Sequence, residues 1–182
     1  MAVLGRRAEP EPRCPLTVVQ AILKGDRGEL AVELMTEVGA DVIVPWAADR
    51  CVARWHAGRE DKALARWRSA AAAAGKQSRR GRFSQVTPQE RLSGVVKRVR
   101  EAALAVLLDP GADTAVAALP FPAEGGEIVL VVGPEGGFTE AEEDALTSAG
   151  AVPARLGPTV LRGSTAGAVA AAIVLTATGR WG

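Results

Sequence analysis

Apolar residues along this chain come in short, closely spaced blocks. PLTVVQAIL from Pro15 is a β-rich run and DVIVPW at 41–46 a short strand, while ALAVLLDP at 103–110 and EIVLVVGP at 127–134 are continuous apolar runs with β-branched residues. Strands buried on both faces read this way, because neither side of the pleat meets water. CVARW at 51–55 and AVPARLGP at 151–158 fit two further short strands. Between the blocks the period lengthens. GDRGELAVELMTEVG predicts an amphipathic helix closed by Gly39, and the Ala-, Arg- and Lys-rich stretch from about Glu60 to Arg80 predicts a long one. STAGAVAAAIVLTATG predicts a closing helix built from small residues.

Two start signals sharpen the boundaries. VTPQERL offers Thr87 as N-cap, Pro88 at the first helical position and Glu90 two places on, a capping box. Thr139 with Glu142 repeats the device and opens a helix to about Ala149. Strands alternating with helices predict an α/β domain with a mainly parallel sheet over residues 15–182. The first fourteen residues, MAVLGRRAEPEPRC, are charged and without period, and read as a linker or the remnant of a preceding domain.

Composition adds exclusions. The apolar run at 166–177 is broken by Thr176 and falls short of the roughly 18 residues a membrane span needs. No signal-peptide pattern opens the chain, so a cytoplasmic location is expected. Two cysteines without a CxxC pair, and a single histidine, His56, argue against a metal site. Net charge is only +1, yet 14 of the 22 Lys/Arg fall between Arg50 and Arg100, against 3 of the 21 Asp/Glu. Segregation on that scale points to a polyanion partner such as nucleic acid.

The most informative stretch is VVGPEGGFTEAEE at 131–143, where a strand ends in a glycine-rich turn ahead of a helix. A phosphate cradle needs free backbone N–H groups and usually a Lys close behind. Pro134 removes one donor, Glu135 sets a carboxylate at the mouth, and no Lys follows. A neutral or cationic ligand suits this turn better; a tight turn with no ligand is the competing reading. RLGPTVLRGSTA at 155–166 repeats the arrangement, and LLDPG at 107–111 is a possible third wall. Backbone groups at such loops can read an adenine edge, and a carboxylate suits a sulfonium or amino group.

VGPEGGFTEAE followed by LGPTVLRGSTA closely resembles the paired motifs of the RsmE-type ribosomal RNA methyltransferases, members of the SPOUT superfamily. The likeness runs from about Pro15 to the end of the chain. It implies a parallel sheet flanked by helices with a C-terminal trefoil knot, S-adenosylmethionine (SAM) as cofactor, and a homodimer formed through the knot region. The implied reaction is N3-methylation of a uridine in 16S rRNA of the 30S subunit. Carried over, Gly133, Pro134, Glu135, Gly136 and Gly137 line the donor pocket with Leu156, Gly157, Leu161, Arg162, Ser164, Thr165 and Ala166, and Leu107 and Leu108 form the third wall.

Several positions depart from the family pattern. The family typically carries an N-terminal PUA-like domain, of which residues 1–14 are expected to be only a linker or remnant. LRGSTA stands where many members read LRTETA, so Gly163 and Ser164 replace a Thr and a Glu. Lys76 replaces a common Glu, and Leu34 a common Lys. Arg162 is the candidate for stabilising charge on the uracil, the competing reading being an ion pair with a carboxylate such as Glu135. Lys76, Arg79, Arg80 and Arg82 of GKQSRRGRF are expected to meet RNA phosphates; a solvated helix end is the plainer account. Trp46, Trp55 and Trp67 fit the core better than a base-stacking surface. A non-catalytic RNA-binding module and a knotted methyltransferase acting on tRNA are the alternative functions.

Overall fold

The computed structural model describes residues 9–55 and 58–181. His56 lies outside them. Six strands form one sheet: β1 (Leu16–Ala21), β2 (Val42–Trp46), β3 (Gln85–Val86), β4 (Leu104–Leu108), β5 (Ile128–Val132) and β6 (Val152–Ala154). Their order across the sheet is β3-β2-β1-β5-β4-β6, and every pairing is parallel. The helices are α1 (Arg27–Val38), α2 (Glu60–Gln77), α3 (Leu92–Glu101), α4 (Glu140–Ser148) and α5 (Gly163–Ala177), with a short 3-10 turn at Val116–Ala118.

The central strands are buried on both faces, as the unbroken apolar runs of β4 and β5 predict. Leu16, Val18, Val106, Leu108, Ile128 and Leu130 pack with α1, α2 and α5 on one side. Val19, Ala21, Ala105, Leu107, Val129 and Val131 face the other side, with Trp46, Phe138 and the apolar positions of α3 and α4. Successive residues of a strand point to opposite faces, so one sheet serves two cores. Trp46 is fully buried and stacks on Phe138 with ring centroids 5.7 Å apart. Trp67 meets Trp55 edge-on at 5.4 Å, so all three tryptophans named above belong to packing.

Two expected elements take another form. Residues 51–55 form no strand; Cys51 N donates to Ala48 O in a turn, and the place beside β2 goes to β3. The Thr87 capping box does not form, and α3 starts only at Leu92. Glu90 N donates to Pro45 O, and Ala47 N to Glu90 O, so this segment extends the pairing along β2. The Glu90 carboxylate instead takes a two-pronged contact from Arg98, with Nη2 at 2.7 Å. That hydrogen bond holds the Arg98 guanidinium more firmly protonated than usual. The second capping box forms as expected: Thr139 accepts from Glu142 N, and the Glu142 carboxylate accepts from Thr139 N.

At the end of the sheet where the strands begin, polar groups close the fold. The Asp41 carboxylate accepts from Leu16 N at 2.8 Å and from Arg180 Nη1 at 2.6 Å. Arg80 Nη1 donates to Thr36 O, Ala40 O and Ser84 Oγ, and its Nη2 stands 3.8 Å from Asp41. The chain joins the domain at Arg13 and Cys14, which bond to residues 122–126. Both cysteines are buried free thiols.

Candidate functional site

At the other end of the sheet, where the strands finish, a cavity of about 560 Å³ opens over β5 and β4. Its size falls within the range of small-molecule sites, and its place at the carboxyl ends of parallel strands is where such folds bind ligands. The two Gly-Pro loops converge there. Gly133, Pro134, Glu135 and Gly137 line it from the loop after β5. Leu156, Gly157, Leu161 and Arg162 line it from the loop after β6, and Ser164 and Ala166 from the first turn of α5. Leu108 and Asp109 close the β4 side, as the expected third wall.

Three expected residues lie elsewhere. Leu107 points into the opposite core, because it neighbours Leu108 on a strand. Thr165 is half-buried and is not among the lining residues, although Ser164 and Ala166 on either side are. Gly136 turns away to Arg50: a Cβ there would stand 3.1 Å from Arg50 Cβ and 3.3 Å from Arg50 O. Gly133 has a different steric duty, since a Cβ would meet the Phe138 ring at 3.0 Å. Gly137 carries the turn itself at φ +71°, a conformation that glycine adopts without the usual cost.

Other lining residues escaped sequence reasoning. Arg50 Nη1 donates to Phe138 O at 2.7 Å and to Gly136 O at 3.3 Å, pinning the loop from the turn after β2. Asp49 N donates to the buried Glu142 carboxylate at 2.8 Å, which ties the same turn to α4. Arg27, at the start of α1, lines the cavity beside Leu23. The signal for Arg50 was present only as one of many cations in a basic stretch.

The expected RNA cluster sits at the opposite end of the sheet, next to the start of β3. Lys76 and Arg79 are exposed, while Arg82 reaches Glu11 at 3.6 Å. Arg80 is not free to meet a phosphate. Its side chain is 12% exposed and is committed to carbonyls and Asp41 inside the fold. Burial lowers its pKa, while Asp41 opposes that shift.

The lining suits a flat, partly apolar cation such as SAM. Leu108, Val132, Leu156 and Leu161 supply apolar walls, and Glu135 a carboxylate. A methyl built on Gly157 would meet no atom within 4 Å, so the backbone there is open to a ligand. Among the described residues, no group of three or more His, Cys, Asp or Glu gathers as for a metal ion.

Comparison with known proteins agrees with this geometry. The family model described as an RNA methyltransferase domain matches residues 9–175. The ribosomal RNA small subunit methyltransferases E of Mycobacterium bovis and Mycobacterium tuberculosis are each 49% identical over 184 aligned residues, covering 98% of this chain and 70% of theirs. A putative methyltransferase from Legionella pneumophila, solved with bound SAM, is 27% identical, with a TM-score of 0.83 over 91% of this chain and 67% of that one. The Neisseria gonorrhoeae ribosomal RNA small subunit methyltransferase E, bound to S-adenosyl methionine, is 29% identical, with a TM-score of 0.79 over 90% and 66% of the two chains. The chain belongs to the RNA methyltransferase domain family and, within it, to the ribosomal RNA small subunit methyltransferases E.

Proposed function

We propose that this protein transfers the methyl group of SAM to N3 of a uridine in 16S rRNA of the small subunit. The observation that carries this reading is the meeting of both Gly-Pro loops on one cavity, in a chain of this family. SAM would supply an electrophilic methyl on a sulfonium. Gly133, Pro134, Glu135, Gly137, Leu156, Gly157 and Leu161 would hold it, with Leu108 and the first turn of α5.

The remaining chemistry falls to the protein. Uracil N3 is a weakly acidic imide that must lose its proton before it can attack, and charge then grows on the flanking carbonyl oxygens. Arg162 lines the cavity as the N-cap of α5, and no salt bridge ties it among the described residues. A guanidinium that stays charged is suited to stabilise those oxygens. The lining carboxylates Asp109, Glu135 and Glu143 are the candidates to receive the imide proton. Ser164 occupies the place of the family's Glu, so this chain relies on the other carboxylates.

The C-terminal trefoil knot belongs to the same reading. Arg155 is pinned under the segment after β4 by Arg155 N to Thr114 O and Val116 N to Arg155 O. The chain then returns from the sheet edge to lay α5 against β1 and β5. Such a path supports threading through the 109–127 segment. Exposed Val152, in β6, and Val160, in the loop after it, support a dimer seam near the knot. Residues 1–14 would be a linker or the remnant of a PUA-like domain, and the enzyme would act in the cytoplasm on 30S particles.

The test is methyl transfer from radiolabelled SAM to 30S particles lacking the modification, followed by nucleoside analysis. Label in N3-methyluridine of 16S rRNA is expected. Label in tRNA alone, or none, contradicts the reading.

A further inference from the structure

The cavity has two unlike flanks. The β4 side brings Leu108, Pro110 and Asp109, whereas the β1–β2 side brings Arg27 and Arg50. The apolar flank has the character of a purine and methionine site. The basic flank does not, and neither of its cations is in an ion pair among the described residues.

Arg27 is the first residue of α1, where a positive charge opposes the helix dipole. No ion pair offsets it among the described residues; Glu29, two residues on, goes to Arg66 at 3.3 Å. Arg50 spends only Nη1 on the loop carbonyls, leaving Nε and Nη2 without a protein partner among the described residues. Arginine presents its donors as a planar fork that matches phosphate oxygens. Two such groups beside a cavity, neither in an ion pair among the described residues, fit a polyanion better than a cofactor that is itself a net cation.

We propose that Arg27 and Arg50 form a phosphate-binding edge on the β1–β2 side of the cavity, taking the backbone phosphates that flank the target nucleotide of the RNA. The proposal rests on the RNA methyltransferase reading above and adds the direction of entry. RNA crosses the ends of β2 and β1, and the base turns in toward β5. Arg27 is thus a substrate-positioning residue, while Arg50 serves both the loop and the RNA.

The experiment measures binding of a labelled single-stranded RNA of roughly twelve nucleotides, containing uridines, across a salt series. SAM is titrated in parallel. The proteins are wild type, Arg27→Gln, and Lys76→Gln/Arg79→Gln at the far end of the sheet. Each phosphate contact removed from a single strand should lower the slope of log affinity against log salt by about 0.7. Arg27→Gln is expected to lose that slope and to bind RNA several-fold more weakly at low salt, with its SAM affinity within twofold of wild type. An unchanged slope in Arg27→Gln overturns the proposal, whether or not the Lys76→Gln/Arg79→Gln protein loses slope. So does a loss confined to SAM affinity, which would assign Arg27 to the donor's carboxylate. Absence of SAM binding by wild type would instead strike the donor-pocket reading itself.

Discussion

Arg50 Nη1 lies 2.7 Å from the carbonyl oxygen of Phe138, and this contact joins the turn after β2 to the glycine loop after β5. The loop's shape therefore depends on a side chain more than eighty positions earlier in sequence. Hydrogen bonds from a charged donor are worth about 1.5–3 kcal/mol each. Arg50→Ala is expected to weaken SAM binding on the order of tenfold, a partial loss because Asp49 still holds the turn to Glu142. Calorimetric titration of the variant checks this; an unchanged affinity would show that the loop holds its form without the clamp.

Gly133 allows the Phe138 ring to lie across the loop, and Phe138 in turn stacks on Trp46. Gly133→Ala forces that ring away. The expected cost is about 1–3 kcal/mol of stability, the usual range for overpacking. Thermal unfolding should show a lowered midpoint, together with weaker SAM binding. Gly157→Ala, where no atom stands within 4 Å, should leave the midpoint nearly unchanged and affect only the ligand.

Arg80 and Arg79 are neighbours with opposite destinies. Arg80→Ala removes a buried guanidinium from four acceptors and from Asp41, which keeps Arg180. The expected destabilisation is about 2–3 kcal/mol, seen as a lower urea midpoint. Arg79→Ala, at an exposed position with φ 56°, should shift the midpoint far less. Equal losses in the two variants would contradict the assignment.

Burial pushes the Cys51 thiol above its ordinary pKa, against hydrogen bonds with the Ala48 and Ile22 backbone; Glu135 and Glu142 add to the rise. The unfolded thiol gives up its proton first, so its contribution to stability is full below about pH 8.5 and falls as pH rises toward the folded value. Urea midpoints should therefore drop as pH rises above about 8.5, and less so in Cys51→Ala. A drop of the same size in Cys51→Ala would assign the effect to another group.

Much of this architecture was legible because it rests on local signals. β-rich runs marked β1, β2, β4 and β5, and the Thr139–Glu142 box marked the start of α4 to the residue. The two misread segments had equally good local signals that tertiary pairing overrode. Thr87 to Glu90 carries a capping pattern, yet β2 needed a partner beyond β3, and backbone pairing with Pro45 and Ala47 took those residues. CVARW alternates like a strand, but its place beside β2 was already filled. At the site, the paired Gly-Pro motifs named the loops. The face of Leu107, the outward turn of Gly136 and the reach of Arg50 depend on which strands lie side by side, which no local pattern encodes. Arg80 shows the same limit, since a cation in a basic run does not reveal that its neighbours are buried carbonyls.

Whether the two Gly-Pro loops enclose a methyl-donor site is decided by calorimetric titration with SAM. Wild type should bind saturably near one donor per chain, with affinity reduced in Glu135→Ala and in Arg162→Ala. A folded wild type that takes up no SAM would contradict the account.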